Sequence, residues 1–198
     1  MKANAFFVAI ILCATFFSCN SSDKEAQKED LVPIVEAPKV DPVKRGEHLV
    51  NSVGCHDCHT PKKFNDQGVM ELDIDRLLSG HPADEALPPY DSKTAQSYVL
   101  FSGGFTAVVG PWGTSFSANL TPDDTGIGTW SDAQFINAIR NGKYKGMDGS
   151  RDLLPPMPWP SYRNFSDEDL KSIFAYLKSI KPVENIVPAP LPPAQAQQ

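Results

Sequence analysis

Five consecutive residues, Cys55-His56-Asp57-Cys58-His59, constrain this chain more than any other part of its 198 residues. The Cys-x-x-Cys-His spacing reads as covalent haem attachment. Two thiols three positions apart can each add across one vinyl group of a porphyrin. The histidine directly after the second thiol then reaches the iron from one side. With 4 cysteines and 4 histidines in the chain, chance supplies on the order of 0.002 such matches. The motif occurs once, which implies one haem c. A Cys55–Cys58 disulfide and a redox-active thiol pair share the spacing, but no βαβ pattern accompanies it, as the second would need. A zinc site needs a second ligand pair, and outside the motif only His48 and His81 remain as histidines.

The other axial position of the iron has five candidates: Met157, Met147, Met70, His48 and His81. Met157 ranks first. It sits in Leu154-Pro155-Pro156-Met157-Pro158-Trp159-Pro160, where four prolines hold the backbone φ angles. A stiff loop lowers the entropy lost when a weak, neutral thioether binds, and Trp159 can cover a porphyrin face or edge. The other use of a methionine here is to plug a gap in the core. Met147, in the Gly-rich stretch Gly146–Gly149, ranks second. Met70 and His81 fall in a loop region, and His48 belongs to the surface of the first helix.

Three helices are legible. The first opens at Asp41-Pro42, an N-cap acid followed by proline at the first helical position, and stops at Gly54. The second opens at Trp130-Ser131, where Ser131 and Gln134 make a capping box and Trp130 and Phe135 occupy staple positions. It ends at Gly142. The third starts at Ser166, with Asp167, Glu168 and Asp169 in its first turn and an apolar stripe of Leu170, Ile173, Phe174, Leu177 and Ile180. Lys62–Thr129 shows no convincing strand alternation and reads as a turn-rich loop. The expected fold class is therefore all-α, with a long loop insertion.

The ends carry no fold. Ala5–Phe17 is apolar but shorter than the about 20 residues a spanning helix needs. Behind Lys2 it reads as an export signal over residues 1–18. Phe16-Phe17-Ser18-Cys19 resembles a bacterial lipobox, which implies cleavage before Cys19, acylation of Cys19 and stable membrane anchoring. Residues 19–40 read as a solvated tether, 41–184 as one domain and 185–198 as a loose Pro/Ala/Gln tail.

The order helix, Cys-x-x-Cys-His, middle helix, Met loop, terminal helix resembles class I cytochromes c. Asn119-Leu120-Thr121-Pro122, Gly126-Ile127-Gly128-Thr129-Trp130, Phe135 through Arg140, Met157-Pro158 and Asp167-Glu168-Asp169-Leu170 resemble, more closely, the cytochrome c subunits of bacterial membrane-bound alcohol and gluconate dehydrogenases. The resemblance covers most of Asp41–Pro182. It implies a cytochrome c-like domain in which Cys55, Cys58, His59 and Met157 hold the haem, with His59 and Met157 on the iron.

A six-coordinate His/Met iron leaves no position for substrate. The expected role is one-electron relay between a dehydrogenase or quinol-oxidising complex and a downstream acceptor, with no catalysis by the chain itself. The alternative is a haem enzyme or gas sensor with the sixth position open. Redox proteins are the expected partners, on the periplasmic side of a membrane. Nucleic acid is not expected of a chain with net charge −6. Charge is unevenly placed. Asp66, Glu71, Asp73, Asp75, Asp84, Glu85 and Asp91 face only Arg76 over 66–91, whereas around Met157 Arg140, Lys143, Lys145, Arg151 and Arg163 outnumber Asp148 and Asp152. A basic rim near the haem edge would steer an acidic partner.

Overall fold

The computed structural model describes residues 40–193. The expected leader 1–18, the acylation site Cys19 and the tether up to residue 39 lie outside the described residues, as do residues 194–198.

The three expected helices form the frame, and their caps are those the sequence encodes. In α1 (Pro42–Ser52) the Asp41 carboxylate accepts from the Val43 amide at 2.9 Å, with Pro42 at the first position. In α4 (Asp132–Asn141) Ser131 and Gln134 cap each other's backbone, and Gly142 ends the helix in the left-handed region. In α6 (Asp167–Ser179) Ser166 accepts from the Asp169 amide at 3.0 Å. Helix α1 lies against α6 so closely that a Cβ on Gly46 would stand 1.9 Å from the Ser172 carbonyl oxygen. Phe135 of α4 stacks on Phe174 of α6 with ring centroids 5.0 Å apart. Leu49, Val50, Leu78, Ile127, Leu170 and Leu177 complete the core, and Trp130 and Phe165 pack against it.

The all-α expectation is corrected by the segment between α1 and α4, which holds two small antiparallel sheets. After the short helix α2 (Cys55–His59), β1 (Lys62–Phe64) pairs with β2 (Met70–Leu72), Lys62 opposite Leu72 and Phe64 opposite Met70. A 3-10 turn at Ile74–Arg76 and the one-turn helix α3 (Ser92–Ala95) follow. Then β3 (Leu100–Phe101), β4 (Ala107–Gly110) and β5 (Gly113–Phe116) form a three-stranded sheet in that order. The reason these strands carry no alternation is visible in β4. Ala107, Val108, Val109 and Gly110 are all buried, so the strand has no solvent face to mark with polar residues. The strands are also short, and β4 turns into β5 through Pro111-Trp112 rather than a glycine-rich hairpin pair.

The stretch after α6 is tied to this insertion. Asn185 Nδ2 donates to the carbonyls of Ser79 and His81 at 2.7 and 2.9 Å, and Leu191 exchanges both backbone hydrogen bonds with Thr114. The part of the composition-defined tail up to Leu191 is thus a strap across the sheet. Among the described residues no helix is long and apolar enough to cross a membrane.

Candidate functional site

The chain leaves α1 and turns at Gly54, whose φ of 74° lies in the left-handed region that glycine enters without strain. That turn starts α2, a single helical turn, and a helical spacing of three puts Cys55 and Cys58 on one face. Both thiols are free. Cys55 packs against the core, and burial pushes its pKa up to about 11. Burial also raises that of Cys58. Both sulfurs are therefore neutral thiols at pH 7 rather than thiolates.

His59, the last residue of α2, is buried, and its Nδ1 lies 2.8 Å from the Ala118 carbonyl oxygen. A carbonyl only accepts, so Nδ1 carries the proton and donates. Its Nε2 makes no hydrogen bond among the described residues. Burial also drives the imidazole pKa below its ordinary value, favouring the neutral form. A neutral imidazole with Nδ1 pinned and a free lone pair on Nε2 is the form that binds a metal. The backbone around it is equally fixed. The Gly80 amide donates to the His59 carbonyl at 2.8 Å, and the Leu78 amide donates to Thr60 Oγ1 at 3.0 Å. Lys62 Nζ closes the C-terminal end of α2 by donating to the carbonyls of His56, Asp57 and Thr60.

Met157 is partly buried, in a loop that leads into α5 (Trp159–Tyr162). Two contacts tie this segment to the rest of the site. Ser115 Oγ donates to the Pro155 carbonyl at 2.6 Å, and Tyr162 OH donates to the Val53 carbonyl at 2.9 Å, in the turn just before Cys55. Trp159 lies against Gly142, and the Arg163 guanidinium sits 5.6 Å from its ring centre. The other axial candidates lie elsewhere. Met147 and Met70 are exposed, at 53% and 41%, and His48 faces solvent on α1. His81 is buried, with Nδ1 bonded to Thr106 Oγ1 at 2.9 Å and its ring against Phe116.

Ala118, Ser115, Tyr162 and Lys62 escaped the sequence reading. Ala118 acts through a backbone carbonyl, which no side-chain pattern marks, and Ser115 is reached only through a strand with no visible period. The expected basic rim is partly neutralised within the domain. Arg140 pairs with Asp167 and Lys143 with Asp152, while Arg151 stacks on the Tyr144 ring at 4.0 Å.

No protein-family model matches the chain. Curated proteins do. The chain is 35% identical over 143 residues to a gluconate 2-dehydrogenase cytochrome c subunit of Pantoea cypripedii, a match covering 71% of this chain and 24% of that protein. It is 42% identical over 92 residues to an alcohol dehydrogenase (quinone) cytochrome c subunit of Gluconacetobacter polyoxogenes, covering 46% of this chain and 19% of the other. It is 40% identical over 98 residues to a fructose dehydrogenase cytochrome subunit of Gluconobacter japonicus, covering 48% and 18%. The matched part of the chain thus spans a quarter or less of the length of these relatives.

Proposed function

The chain is a homologue of the cytochrome c subunits of bacterial gluconate and alcohol dehydrogenases, and on that footing we propose that it is a monohaem electron carrier with a His59/Met157-ligated iron. The carrying observation is His59, buried, held through Nδ1 by Ala118, with Nε2 free and two free thiols one and four positions before it. Cys55 and Cys58 would hold the porphyrin through thioethers, His59 Nε2 the iron on one side and Met157 on the other. Haem c supplies a one-electron ferric/ferrous couple. The chain's own residues do the rest. Burial of the site and a neutral thioether both favour the ferrous form and raise the potential. The prolines and Ser115 keep the Met157 loop in place, so little reorganises when an electron arrives.

The reading extends to partners and place. The domain passes electrons from a dehydrogenase or quinol-oxidising complex to a downstream acceptor, outside the cytoplasm, on a tether acylated at Cys19. Cys19→Ala should move the protein from the membrane to the soluble fraction.

The deciding experiment is the visible spectrum of protein made with c-type haem maturation, oxidised and reduced, before and after carbon monoxide. A sharp low-spin reduced spectrum unmoved by carbon monoxide is expected, with haem retained through acid–organic extraction. A far-red thioether–iron band should disappear in Met157→Ala. A high-spin spectrum that shifts with carbon monoxide would overturn the His/Met assignment.

A further inference from the structure

One contact to the His59 ring and one to the Met157 loop come from the same strand and its exit. Ser115 is 9% exposed in the middle of β5 and donates to the Pro155 carbonyl at 2.6 Å, 40 residues away in sequence. It also accepts from Trp112 Nε1 at 3.4 Å. Just beyond β5, the Ala118 carbonyl receives His59 Nδ1 at 2.8 Å. The strand is braced on both edges. β4 pairs with it along its whole length, and on the other side Thr114 exchanges backbone bonds of 2.9 and 3.0 Å with Leu191.

The loop it touches has few means of holding itself. Pro155, Pro156, Pro158 and Pro160 carry no amide hydrogen. The Met157 amide reaches only the Leu154 carbonyl, at 3.3 Å. Carbonyl acceptors are therefore what the loop offers a neighbour, and Ser115 takes the one two residues before Met157.

We propose that Ser115 is a positioning residue that keeps the Met157 loop closed, so that the inserted sheet, through Ser115 and Ala118, holds both axial sides of the iron. The proposal rests on Met157 being the second ligand. A thioether binds weakly, so the closed loop is in equilibrium with an open one. A hydrogen bond made only in the closed form shifts that equilibrium about fivefold, the factor that a net ~1 kcal/mol corresponds to. The bond needs only a hydroxyl, so threonine can replace serine in it.

The test uses the full haem-loaded chain and compares wild type with Ser115→Ala, Ser115→Thr and Met157→Ala. Added imidazole can replace the thioether of a ferric His/Met iron only through the open loop, so its association rate with the ferric protein reads the open population. Ser115→Ala should bind it about fivefold faster and show a weaker far-red band, with Ser115→Thr restoring both. Ser115→Cys, a near-isostere with a weaker donor, should fall between and serves if the alanine variant folds poorly. Arg76→Ala, which breaks the 2.7 Å Arg76–Asp73 pair elsewhere in the insertion, should lower stability and leave the imidazole rate unchanged. A wild-type rate in Ser115→Ala and Ser115→Cys, with the band still lost in Met157→Ala, overturns the role of Ser115 alone. A far-red band absent from wild type, or surviving in Met157→Ala, overturns the ligand assignment and this inference with it.

Discussion

His59 Nδ1 and the Ala118 carbonyl oxygen meet at 2.8 Å across 59 residues of sequence. The histidine comes from the helical frame and the carbonyl from the exit of the inserted sheet. The imidazole is thus oriented by the insertion, not by the helix that carries it. A site built this way depends on contacts that keep the insertion seated on the frame, and these are open to measurement.

The frame itself depends on the close α1–α6 contact. Gly46→Ala would drive its methyl into the Ser172 carbonyl, 1.9 Å from where the Cβ must stand. Overpacking of this kind costs about 1–3 kcal/mol, which for a domain of this size lowers Tm by roughly 2–4 °C per kcal/mol. Thermal unfolding read by circular dichroism checks it. An unchanged Tm would mean that α1 and α6 do not approach here.

Asn119 joins three segments. Its Nδ2 donates to Thr125 Oγ1 and the Val183 carbonyl at 3.1 and 2.8 Å, and its Oδ1 accepts from the Thr121 amide and hydroxyl. Asn119→Ala strands several of these buried groups, and each orphan costs about 1–3 kcal/mol. Urea unfolding should show a loss of at least about 2 kcal/mol; a loss under half that would show that water or a rearranged Thr121 replaces the amide.

His81 predicts a pH dependence. Burial pushes its pKa below the ordinary 6.5, against the opposing charge of Glu85, and its Nε2 is buried without a partner. The fold holds the neutral ring. As pH falls through 6.5 the unfolded chain takes up a proton that the native protein refuses until lower pH, so this stability is complete above 6.5 and declines below it. Urea midpoints should therefore fall for wild type between pH 7 and about pH 5, and less for His81→Gln. Parallel declines in the two proteins would assign the effect to other groups.

Removal of residues 183–198 tests the strap. It deletes the Thr114–Leu191 pairing and the bonds from Asn185 to Ser79 and His81. Hydrogen exchange should quicken at the amides of His81 and Thr114 while the α1–α6 amides stay protected. Equal acceleration everywhere would mean that the strap stabilises the domain as a whole.

How far the sequence speaks depends on whether a feature is local. Asp41, Ser131, Gln134 and Ser166 cap helices through residues two or three positions away, so they are legible and stand where expected. The Cys-x-x-Cys-His motif is local too, and one helical turn suffices to display it. The sheets were not legible, because β4 is buried on both faces and β5 is recognised only by what it meets, Pro155 and Leu191. One local signal went unread. Asn65 Oδ1 accepts from the Gln67 and Val69 amides, and Gly68 takes a φ of 74°, an Asx-type turn that announces the β1–β2 hairpin. In the basic stretch, Lys143 pairs with Asp152, which lies within it, and Arg140 with Asp167, which a count along the sequence leaves out.

The packing of α1 on α6 also sets an order of events. The first helix of the domain emerges long before the last, and cannot be covered until that last helix arrives. Cys55 and Cys58 follow α1 directly, and the core against which Cys55 packs is completed by α6. A chain that appears N-terminus first therefore presents both sulfurs to any modifying enzyme throughout its emergence, and packs Cys55 away only when it is finished.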